Sequence, residues 1–374
     1  MPVARRIVLL GLGHTNVDFV FRWIKQPLPN TELVCVSNFD RSTYSGLFPS
    51  ILGLRRKPGD MEIDLRRLVA KAKGRLIIED VVSCKDSQVE FGNDESVTFD
   101  AMSIGVGSMP QGLLHPPAPT ALLSIKPMQT FLSRFQSGVK KAIERSNRNS
   151  VRIVIVGGGV ASVELAFAVS RWAEIQSIQV QIAIVTAGDH VAGEMSDRSI
   201  AKIEQLLSNR NIRLIANSRA EFTHENGLVL DGQTQLSGDL VIWSTSATAP
   251  SILAKLDLQK DDRGFIATDC YLRSLSQDNV FAVGDCGTRI DSPFPKAGVY
   301  AVRQAPVLWR NLRSTLEGES LQAFEPQNSF LKLLNTGDDR ALLEYGRLSL
   351  HGRWCMFVKD WIDDRFIRQF QNLD

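Results

Sequence analysis

Short apolar runs that end in glycine turns recur along the chain and predict its main strands. One run, Arg6 to Leu10, leads into Gly11-Leu12-Gly13, and another, Arg152 to Val156, leads into Gly157-Gly158-Gly159. Each turn is followed by a helical pattern and then by a further apolar strand. This repeated order of strand, turn, helix and strand predicts two βαβ units, which favours an α/β fold with parallel sheets.

Shorter patterns between and after these units predict antiparallel strands, a helix and a C-terminal region of different character. Apolar segments separated by Asp86-Ser87 and Gly92-Asn93 predict a meander, and we expect a similar one after the second unit. Pro116, Pro117 and Pro119 lie in a loop that we interpret as an interdomain connection. The predicted elements are meander strands at 77–86, 88–92, 96–106, 227–238 and 239–244, a helix at 126–146, a buried strand at 279–285 and the C-terminal region from 324.

The charge balance and the cysteines exclude several classes of function. The 374 residues include 43 Lys and Arg and 41 Asp and Glu, so the chain lacks the basic footprint of a dedicated nucleic-acid binder. Its five cysteines lie far apart with no CxxC spacing, which predicts no metal site and is typical of a reducing compartment. The N-terminal apolar run and the run at 153–169 predict neither a signal peptide nor a membrane span, so we expect a cytoplasmic protein.

The two glycine turns are candidate sites for dinucleotide phosphates. Glycine lets the backbone approach a pyrophosphate, and the following helix presents free N–H groups and its positive dipole end to that anion. The alternative is that both are ordinary tight turns, because a single Gly-x-Gly is common. We favour the first interpretation, since both copies stand between a strand and a helix.

Further motifs follow the two turns in a fixed order. The segment Ile104-Gly105-Val106-Gly107-Ser108-Met109-Pro110 comes after the first meander, and Val283-Gly284-Asp285 ends the buried strand. In this order the chain resembles the pyridine nucleotide–disulfide oxidoreductase superfamily, which includes type II NADH dehydrogenases and sulfide:quinone reductases. The segments at 43–46, 295–304 and 359–363 are similar to the flavoprotein module found fused to selenide, water dikinase.

The resemblance implies two cofactors, FAD and NAD(P)H, and a division of the chain around them. It implies two Rossmann-like dinucleotide-binding domains of three-layer ββα type, with the NAD(P) domain inserted into the FAD domain, and a small C-terminal α+β cap. The expected domains are 1–124 for the first part of the FAD domain, 125–250 for the NAD(P) domain, 251–323 for the second part of the FAD domain and 324–374 for the cap.

The resemblance also implies a set of cofactor-binding residues. Asp285 would accept hydrogen bonds from the ribitol hydroxyls, and Val82 would contact adenine through its backbone. Asn16 replaces a glycine of the family's turn, so we expect a looser contact between helix and strand there. His14 would donate to phosphate, or be a loop histidine without function. The other implied FAD residues are Gly11, Gly13, Ser37, Gly105, Gly107, Gly284, Lys296, Gly298 and Val299, and the implied NAD(P) residues are Gly157, Gly159, Ser162, Glu164, Thr186 and Ser246.

Two departures from the family pattern affect the expected chemistry. Ser37 and Thr186 stand where an acidic residue usually binds the ribose. Thr186 lacks the carboxylate that would repel the 2′-phosphate of NADPH, but no arginine adjoins Thr186 to bind that phosphate. The residues therefore leave both NADH and NADPH open, and we favour NADH. The segment from Tyr44 to Ser50 has no CxxxxC pair, so we expect no internal dithiol to relay electrons from flavin to substrate. Cys270 and Cys286 are expected to be small buried residues.

Three residues are candidate catalytic residues, each with a structural alternative. Lys296 would stabilise the negative charge of reduced flavin near N1 and C2=O, or be a solvated loop lysine. Glu164 would orient the nicotinamide carboxamide, or be an acid favoured by the helix dipole. Tyr44 would cover the flavin, or simply pack in the core.

The C-terminal segment 353–370 carries an aromatic stripe at helical spacing. We expect the stripe to pack on the protein's own core or on a second copy in a homodimer, and the alternative is peripheral contact with a membrane. Its members are Phe357, Trp361, Ile362, Arg365 and Phe366, flanked by Lys359 and Arg368.

These observations predict an FAD-dependent oxidoreductase that takes a hydride from NAD(P)H and passes electrons directly to a small-molecule acceptor. A quinone is one candidate acceptor, although the Ala-Gln-x-Ala-x-Gln motif of type II NADH dehydrogenases lacks its first glutamine at 298–304. The alternatives are a degenerate FAD-binding sensor or partner module and a redox partner in a selenium pathway.

Overall fold

The computed structural model describes residues 5–112, 122–146, 150–222, 227–327 and 329–373. Pro116, Pro117 and Pro119 of the predicted interdomain loop lie outside the described residues. Within these ranges the chain forms two five-stranded parallel sheets, together with smaller sheets of two or three strands.

The elements follow one another in three groups along the chain. The first group is β1 (Arg5–Leu10), α1 (His14–Lys25), β2 (Thr31–Ser37), β3 (Arg41–Thr43), α2 (Phe48–Leu52), β4 (Glu62–Asp64), α3 (Leu65–Lys71), β5 (Arg75–Ile78), β6 (Val81–Lys85), β7 (Gln88–Phe91), β8 (Ser96–Thr98), β9 (Ala101–Ile104) and β10 (Met109–Pro110). The second is β11 (Leu122–Ser124), α4 (Phe131–Ser146), β12 (Ser150–Val156), α5 (Val160–Ile175), β13 (Gln179–Val185), α6 (Asp197–Asn209), β14 (Arg213–Ile215), β15 (Ala220–Phe222), β16 (Gly227–Leu230), β17 (Thr234–Ser237), β18 (Leu240–Trp243) and β19 (Ala247–Thr248). The third is β20 (Ile266–Thr268), β21 (Val280–Ala282), β22 (Gly287–Arg289), α7 (Gly298–Glu317), β23 (Lys332–Asn335), β24 (Ala341–Tyr345), β25 (Leu348–Gly352) and α8 (Arg353–Gln371).

The first parallel sheet has the strand order β21-β9-β1-β2-β5 and is buried on both faces. Along β1, Ile7 and Leu9 point to one side and share a core with Val17 of α1. Val8 points to the other side and packs with Val89 of the meander. A strand covered on both faces must be apolar throughout, which explains the unbroken apolar run in the sequence.

The second parallel sheet repeats the arrangement of the first. Its order is β11-β18-β12-β13-β14, in which β18, β12, β13 and β14 take the places of β9, β1, β2 and β5. A three-stranded antiparallel sheet precedes β9 as β6-β7-β8 and precedes β18 as β15-β16-β17. The predicted α/β fold with two βαβ units is therefore confirmed.

Both predicted meanders exist, but the expected strands include residues of the parallel sheets. Ile77 pairs with Val36 of the parallel sheet, and β9 pairs with β1. In the same way β18 leaves the second meander and pairs with β12. These short apolar segments have no alternation that would separate a buried parallel strand from its antiparallel neighbour in the sequence.

The C-terminal region consists of the sheet β23-β24-β25 and helix α8, as its pattern predicts. Charged side chains attach α8 to the loop after α2. Arg55 makes a two-pronged ion pair with Asp360, with N–O distances of 2.7 and 2.6 Å, and Arg56 pairs with Asp364 at 2.6 Å. The planar guanidinium fork makes this contact directional as well as attractive.

The aromatic stripe of α8 divides into an inner and an outer part. Phe366 packs on Tyr44, as expected, with ring centroids 4.6 Å apart. Phe357 and Trp361 are instead 67% and 56% exposed, and Trp354 beside them is 66% exposed. Lys359, which flanks the stripe in the sequence, is buried, and its ammonium pairs with Asp363 at 3.0 Å. None of the described helices is both long and apolar enough to cross a membrane.

A second polar contact attaches the C-terminal sheet to the second parallel-sheet unit. Glu344 of β24 accepts hydrogen bonds from the backbone N–H of Ser196 at 2.9 Å and from its hydroxyl at 2.6 Å, and it pairs with Lys332 at 2.9 Å. Burial alone would raise the pKa of Glu344, but these hydrogen bonds outweigh it and lower the pKa to about 2.

We expect this contact to make the fold sensitive to acid. Because the pKa of Glu344 falls from 4.5 to about 2 on folding, its contribution is complete above pH 4.5 and is lost as the pH falls towards 2. Glu344→Gln should lower the free energy of unfolding by about 2 kcal/mol at pH 7 and by much less near pH 2. Urea unfolding at several pH values measures this, with Glu319→Gln at an exposed position as the control. A difference between Glu344→Gln and the native chain that stays constant with pH would contradict it.

Candidate active site

The first glycine turn holds the backbone too close to its neighbours for any side chain. Gly11 has a φ of 79°, and a Cβ atom there would lie 2.8 Å from Val106. A Cβ atom on Gly13 would lie 2.8 Å from the carbonyl oxygen of Gly105. Helix α1 begins directly after Gly13, and no described side chain caps its first turn. The turn therefore fits a pyrophosphate, which such amides bind.

Asn16 secures this turn from inside the protein. Its side chain is buried, donates to the carbonyl oxygen of Gly11 at 2.7 Å and accepts from the hydroxyl of Ser103 at 2.7 Å. A Cβ atom on Gly105 would lie 2.6 Å from the amide nitrogen of Asn16. The expected looser contact is therefore wrong, because Asn16 ties α1 to β9 through its contacts with Gly11 and Ser103.

The second glycine turn has the same construction with different atoms. Gly157 has a φ of 129°, and a Cβ atom there would lie 2.1 Å from the carbonyl oxygen of Ser244. Ser162 takes the place of Asn16 and donates to that same carbonyl at 3.1 Å. The first amide of α5, on Val160, donates to the carboxylate of Glu194 at 3.1 Å. Gly159 has no described atom within 4 Å of its Cβ position, so this side of the turn has room for a ligand.

The two ribose positions carry hydroxyl groups that support local turns. Ser37 accepts from the backbone N–H of Phe39 at 3.2 Å, and Thr186 accepts from that of Gly188 at 3.1 Å. A carboxylate does lie at the sheet edge near Ser37. It belongs to Asp80, which follows the neighbouring strand β5 and accepts a hydrogen bond from the side chain of Asn38. Sequence reasoning missed Asp80, since the pattern places the ribose-binding acid on β2 itself.

Val82 lies on β6 at the irregularity of the meander. The register between β6 and β7 shifts between Val81 and Ser83. A backbone outside the regular ladder is available for other hydrogen bonds. This location is compatible with the predicted backbone contact to adenine, which stays a prediction.

Asp285 stands at the carboxyl end of β21, where parallel sheets of this type bind their ligands. Gly284 before it has a φ of 65° and donates its N–H to Gln304 at 2.6 Å. The carboxylate of Asp285 accepts from the hydroxyl of Ser108 at 2.7 Å, and the ammonium of Lys126 lies 3.5 Å from the same oxygen. Beside them Gly107 has no described atom within 4 Å of its Cβ position, so the group borders open space.

His14 is the first residue of α1 and is enclosed by aromatic rings. Its ring lies 5.5 Å from Tyr44 and 5.8 Å from Phe366, centroid to centroid. Burial lowers the pKa of His14 to about 4, so the imidazole is neutral at pH 7. Its Nε2 atom is buried without a hydrogen-bond partner among the described residues. A buried polar atom without a partner is costly, which supports a ligand contact here.

Lys296 is held by groups of the neighbouring strand β22 and by an aromatic ring. Its ammonium donates to the carbonyl oxygen of Gly287 and to the hydroxyl of Thr288 at 2.9 Å, and it lies 4.4 Å from the ring centre of Phe265. Burial lowers the pKa of Lys296. It is therefore not a solvated loop lysine, whereas its predicted contact with flavin stays a prediction. Gly298 and Val299 begin α7 just after it, with the positive end of the helix at this edge.

Tyr44 and Glu164 belong to one buried polar cluster at the base of α8. Tyr44 donates to Asp363 at 2.9 Å, and Lys359 donates to the other oxygen of Asp363 at 3.0 Å. Glu164 accepts from the backbone N–H of Asn335 at 2.7 Å. Burial raises the pKa of Glu164, while the charge of Lys359 opposes this. Burial and the carboxylate of Asp363 raise the pKa of Tyr44.

Ser246 lies where the chain returns from the second unit to the first. It donates to the side-chain oxygen of Gln111 at 3.0 Å, and its carbonyl accepts from the N–H of Gln111 at 2.8 Å. The carbonyl of Gln111 accepts from Trp243 and from Thr245, both at 2.6 Å. Here β10 and β19 pair antiparallel, so the two connections run side by side. Ser246 thus joins the connections, and its predicted contact with the nucleotide stays a prediction.

The structure adds Ser108, Lys126, Lys359 and Asp363 to the residues at the site. Lys359 and Asp363 could have been found from their i, i+4 spacing, which pairs opposite charges on one face of a helix. Lys126 has no such signal, since its partners are distant in sequence.

Comparison with known proteins places this arrangement in a family. Residues 38–305 match the sequence model of the pyridine nucleotide-disulphide oxidoreductase family. The chain belongs to this family. The NADH dehydrogenase-like protein YutJ of Bacillus subtilis is 24% identical over 328 residues, which cover 86% of this chain and 87% of the relative. The type II NADH:quinone oxidoreductase of Haemophilus influenzae is 24% identical over 230 residues, which are 57% of this chain. The matched part covers about half of that relative, 52% of its length.

Solved structures agree in fold. The sulfide:quinone oxidoreductase of Aquifex aeolicus superposes with a TM-score of 0.82 at 16% identity, covering 99% of this chain and 92% of that one. NDH2 of Plasmodium falciparum, solved with NADH, also gives 0.82 at 13% identity, covering 98% and 97%. The predictions of an oxidoreductase of this family, with FAD and NAD(P)H as cofactors, are confirmed. The particular resemblance to the module fused to selenide, water dikinase gains no support from them.

Asp285 is expected to anchor FAD. Asp285→Ala removes the carboxylate that would accept from the ribitol hydroxyls and should yield protein with little or no bound flavin. The flavin absorbance relative to protein absorbance measures this directly, and circular dichroism checks the fold. Asp291→Ala, at an exposed loop position in the same part of the chain, is the control. Full flavin occupancy in Asp285→Ala would contradict the assignment.

Proposed function

We propose that this protein is an FAD-dependent NAD(P)H dehydrogenase that passes electrons from flavin directly to a quinone or another small acceptor, without a redox disulfide. The observation that carries the proposal is the polar and aromatic cluster around Tyr44, in the segment where the family's disulfide reductases have CxxxxC. Tyr44 is held there by Asp363 and Phe366 of α8. Bound FAD supplies the chemistry, since it accepts a hydride and returns the electrons to an acceptor.

The residues of the chain would bind and orient the two dinucleotides. The amides after Gly13 would bind the FAD pyrophosphate, and those after Gly159 the pyrophosphate of NAD(P)H. The positive end of α7, with Lys296 behind it, would stabilise negative charge near N1 and C2=O of the flavin. Glu164 on α5 would orient the nicotinamide carboxamide, and Tyr44 would cover the flavin.

The cysteines do not offer a substitute for the missing pair. All five are free. Cys35, Cys84, Cys286 and Cys355 are buried, whereas Cys270, which was expected to be buried, is partly exposed. Burial raises the pKa of Cys84 and of Cys286 to about 11, so both thiols are protonated at pH 7. Protonated, buried thiols are poor nucleophiles, which favours direct transfer from flavin to the acceptor.

The names of the relatives support a quinone as the acceptor. They include type II NADH:quinone oxidoreductase and the demethylphylloquinone reductase of Synechocystis, the latter 24% identical over 278 residues. In this chain Gln304, the one glutamine that remains of the quinone motif, is buried and accepts from the N–H of Gly284. We assign Gln304 to supporting the Asp285 turn, and we infer that the acceptor meets the flavin elsewhere.

The exposed aromatic residues of the C-terminal cap form a candidate interaction surface, and we propose that a second copy of the chain packs on it. Trp354, Phe357 and Trp361 of α8 are exposed, and so are Leu348 and Leu350 of the preceding strand β25. Contiguous exposed apolar residues of this kind mark an interaction surface. The protein would then be a homodimer, and contact with a membrane surface is the other outcome of the test.

A chain without cysteine should retain activity. Replacement of all five cysteines by Ala or Ser is expected to leave FAD bound and NADH oxidation with a quinone within about threefold of the native rate, since no step passes through sulfur. Stopped-flow absorbance separates flavin reduction from reoxidation. If a single cysteine variant keeps its FAD and its fold but stalls after flavin reduction, direct transfer is wrong.

The double variant Phe357→Glu/Trp361→Glu tests the exposed face. We expect it to convert the dimer to monomers in light scattering while FAD stays bound, because buried carboxylates would face each other across the interface. Lys141→Glu, at an exposed position of α4, is the control. Flotation of the native protein with anionic vesicles, lost in the double variant, would establish a membrane surface in place of the dimer.

A further inference from the structure

The helix that follows the second glycine turn begins with a bond to one of the protein's own carboxylates. The N–H of Val160, the first residue of α5, donates to the side chain of Glu194 at 3.1 Å. This amide belongs to the first turn of the helix, whose free N–H groups and positive dipole end attract anions. In the proposed function the same amides bind the pyrophosphate of NAD(P)H. Glu194 and the pyrophosphate would therefore compete for one donor.

The loop that carries Glu194 is fixed against the glycine turn. Ala192 donates its N–H to the carbonyl oxygen of Gly158 at 2.6 Å. It does so with a φ of 51°, a conformation that residues with a Cβ atom seldom adopt. Met195 donates its N–H to the carbonyl oxygen of Ala192 at 2.8 Å, and both residues are buried. The position of Glu194 between them is therefore set by its neighbours, although Glu194 itself is exposed.

The C-terminal cap holds the same loop. Lys332 of β23 donates to the backbone carbonyl oxygen of Glu194 and pairs with the carboxylate of Glu344 at 2.9 Å. Glu344 of β24 also accepts from the N–H and from the hydroxyl of Ser196. Two loop residues, one on each side of Met195, are thus bonded to the sheet of the cap. The place of the Glu194 carboxylate depends on the cap as well as on the second unit.

A carboxylate at this place lowers the affinity for a phosphate without closing the site. Because Glu194 is exposed, its side chain can turn into solvent when a phosphate takes over the amide. Breaking an exposed helix cap of this kind weakens a competing ligand by roughly fivefold. The negative charge adds to this effect, since it repels the pyrophosphate as long as it stays at the helix end.

We propose that Glu194 is an internal competitor of the nucleotide pyrophosphate and that it sets the affinity of the second glycine turn for NAD(P)H. The cap holds this competitor at the start of α5 through Lys332. The inference rests on the proposed binding of NAD(P)H at this turn. It gives the cap an influence on nucleotide binding that needs no contact between the cap and the nucleotide.

The test measures binding of ADP-ribose, which carries the pyrophosphate of NADH but has no nicotinamide to reduce the flavin. Isothermal titration calorimetry on the FAD-loaded protein gives the dissociation constant. Glu194→Ala should bind ADP-ribose about five- to tenfold more tightly than the native protein, because it removes both the acceptor and the charge. Glu194→Gln keeps an acceptor for Val160 without the charge, so its affinity should lie between the two. Glu174→Ala, an exposed position on the same helix about 21 Å from Val160, is the matched control and should leave the affinity unchanged.

Lys332→Met tests the part played by the cap. If Lys332 acts by holding Glu194, this variant should also bind ADP-ribose more tightly, by about two- to threefold. The double variant Glu194→Ala/Lys332→Met should then match Glu194→Ala alone, because the lysine has no competitor left to hold. Additive effects in the double variant would overturn the role of Lys332. Added salt should reduce the difference between Glu194→Gln and the native protein, since charge alone separates them.

The direction of the change decides the role of Glu194. Unchanged affinity in Glu194→Ala, with its fold intact by circular dichroism, would overturn the proposal. Weaker binding would overturn it too, since Glu194 would then be a contact of the nucleotide. Tighter binding of ADP-ribose without reduction of the flavin by NADH would contradict only the proposed function. Absence of ADP-ribose binding in every variant and in the native protein would contradict both.

Discussion

Both glycine turns depend on a backbone contact that leaves no room for a Cβ atom. At Gly11 such an atom would lie 2.8 Å from Val106, and at Gly157 it would lie 2.1 Å from a carbonyl oxygen. Asn16 and Ser162 then bind the adjoining carbonyls from within, so each helix begins at a fixed point of its sheet. The positions of Asp285 and of the helix amides follow from this, because all of them lie at the carboxyl ends of strands held in that register.

The sequence predicts this part of the molecule well because its causes are local. A Gly-x-Gly between an apolar strand and a helix predicts a tight turn from neighbouring residues alone, and its repetition predicts both parallel sheets. Asn16 was misjudged because a sequence gives the size of a side chain and not its partner, which here is the hydroxyl of Ser103. The boundary of each meander was also missed, since β9 and β18 are as apolar as the strands beside them.

The residues that the sequence did not reveal are those joined across long separations. Lys126 meets Ser108 and Asp285 only because two sheets end at the same place. Lysine is seldom buried, so the sequence gives no sign that Lys359 lies inside, where the carboxylate of Asp363 and the carbonyl of Gly46 accept its hydrogen bonds. Periodicity found the apolar positions of α8 but could not divide them between the core and the surface. That division depends on the position of Tyr44 in the first unit, because Phe366 packs against the ring of Tyr44.

The paired connections between the units constrain each other. Because β10 and β19 are hydrogen-bonded to each other and Gln111 is held by residues 243–246, the two crossing segments form one two-stranded connection. The hydrophobic core also continues from one unit to the other, so this connection joins two parts whose packing is already shared. A residue inserted into one crossing segment alone would shift its register against the other, so the two segments are constrained to keep matched lengths.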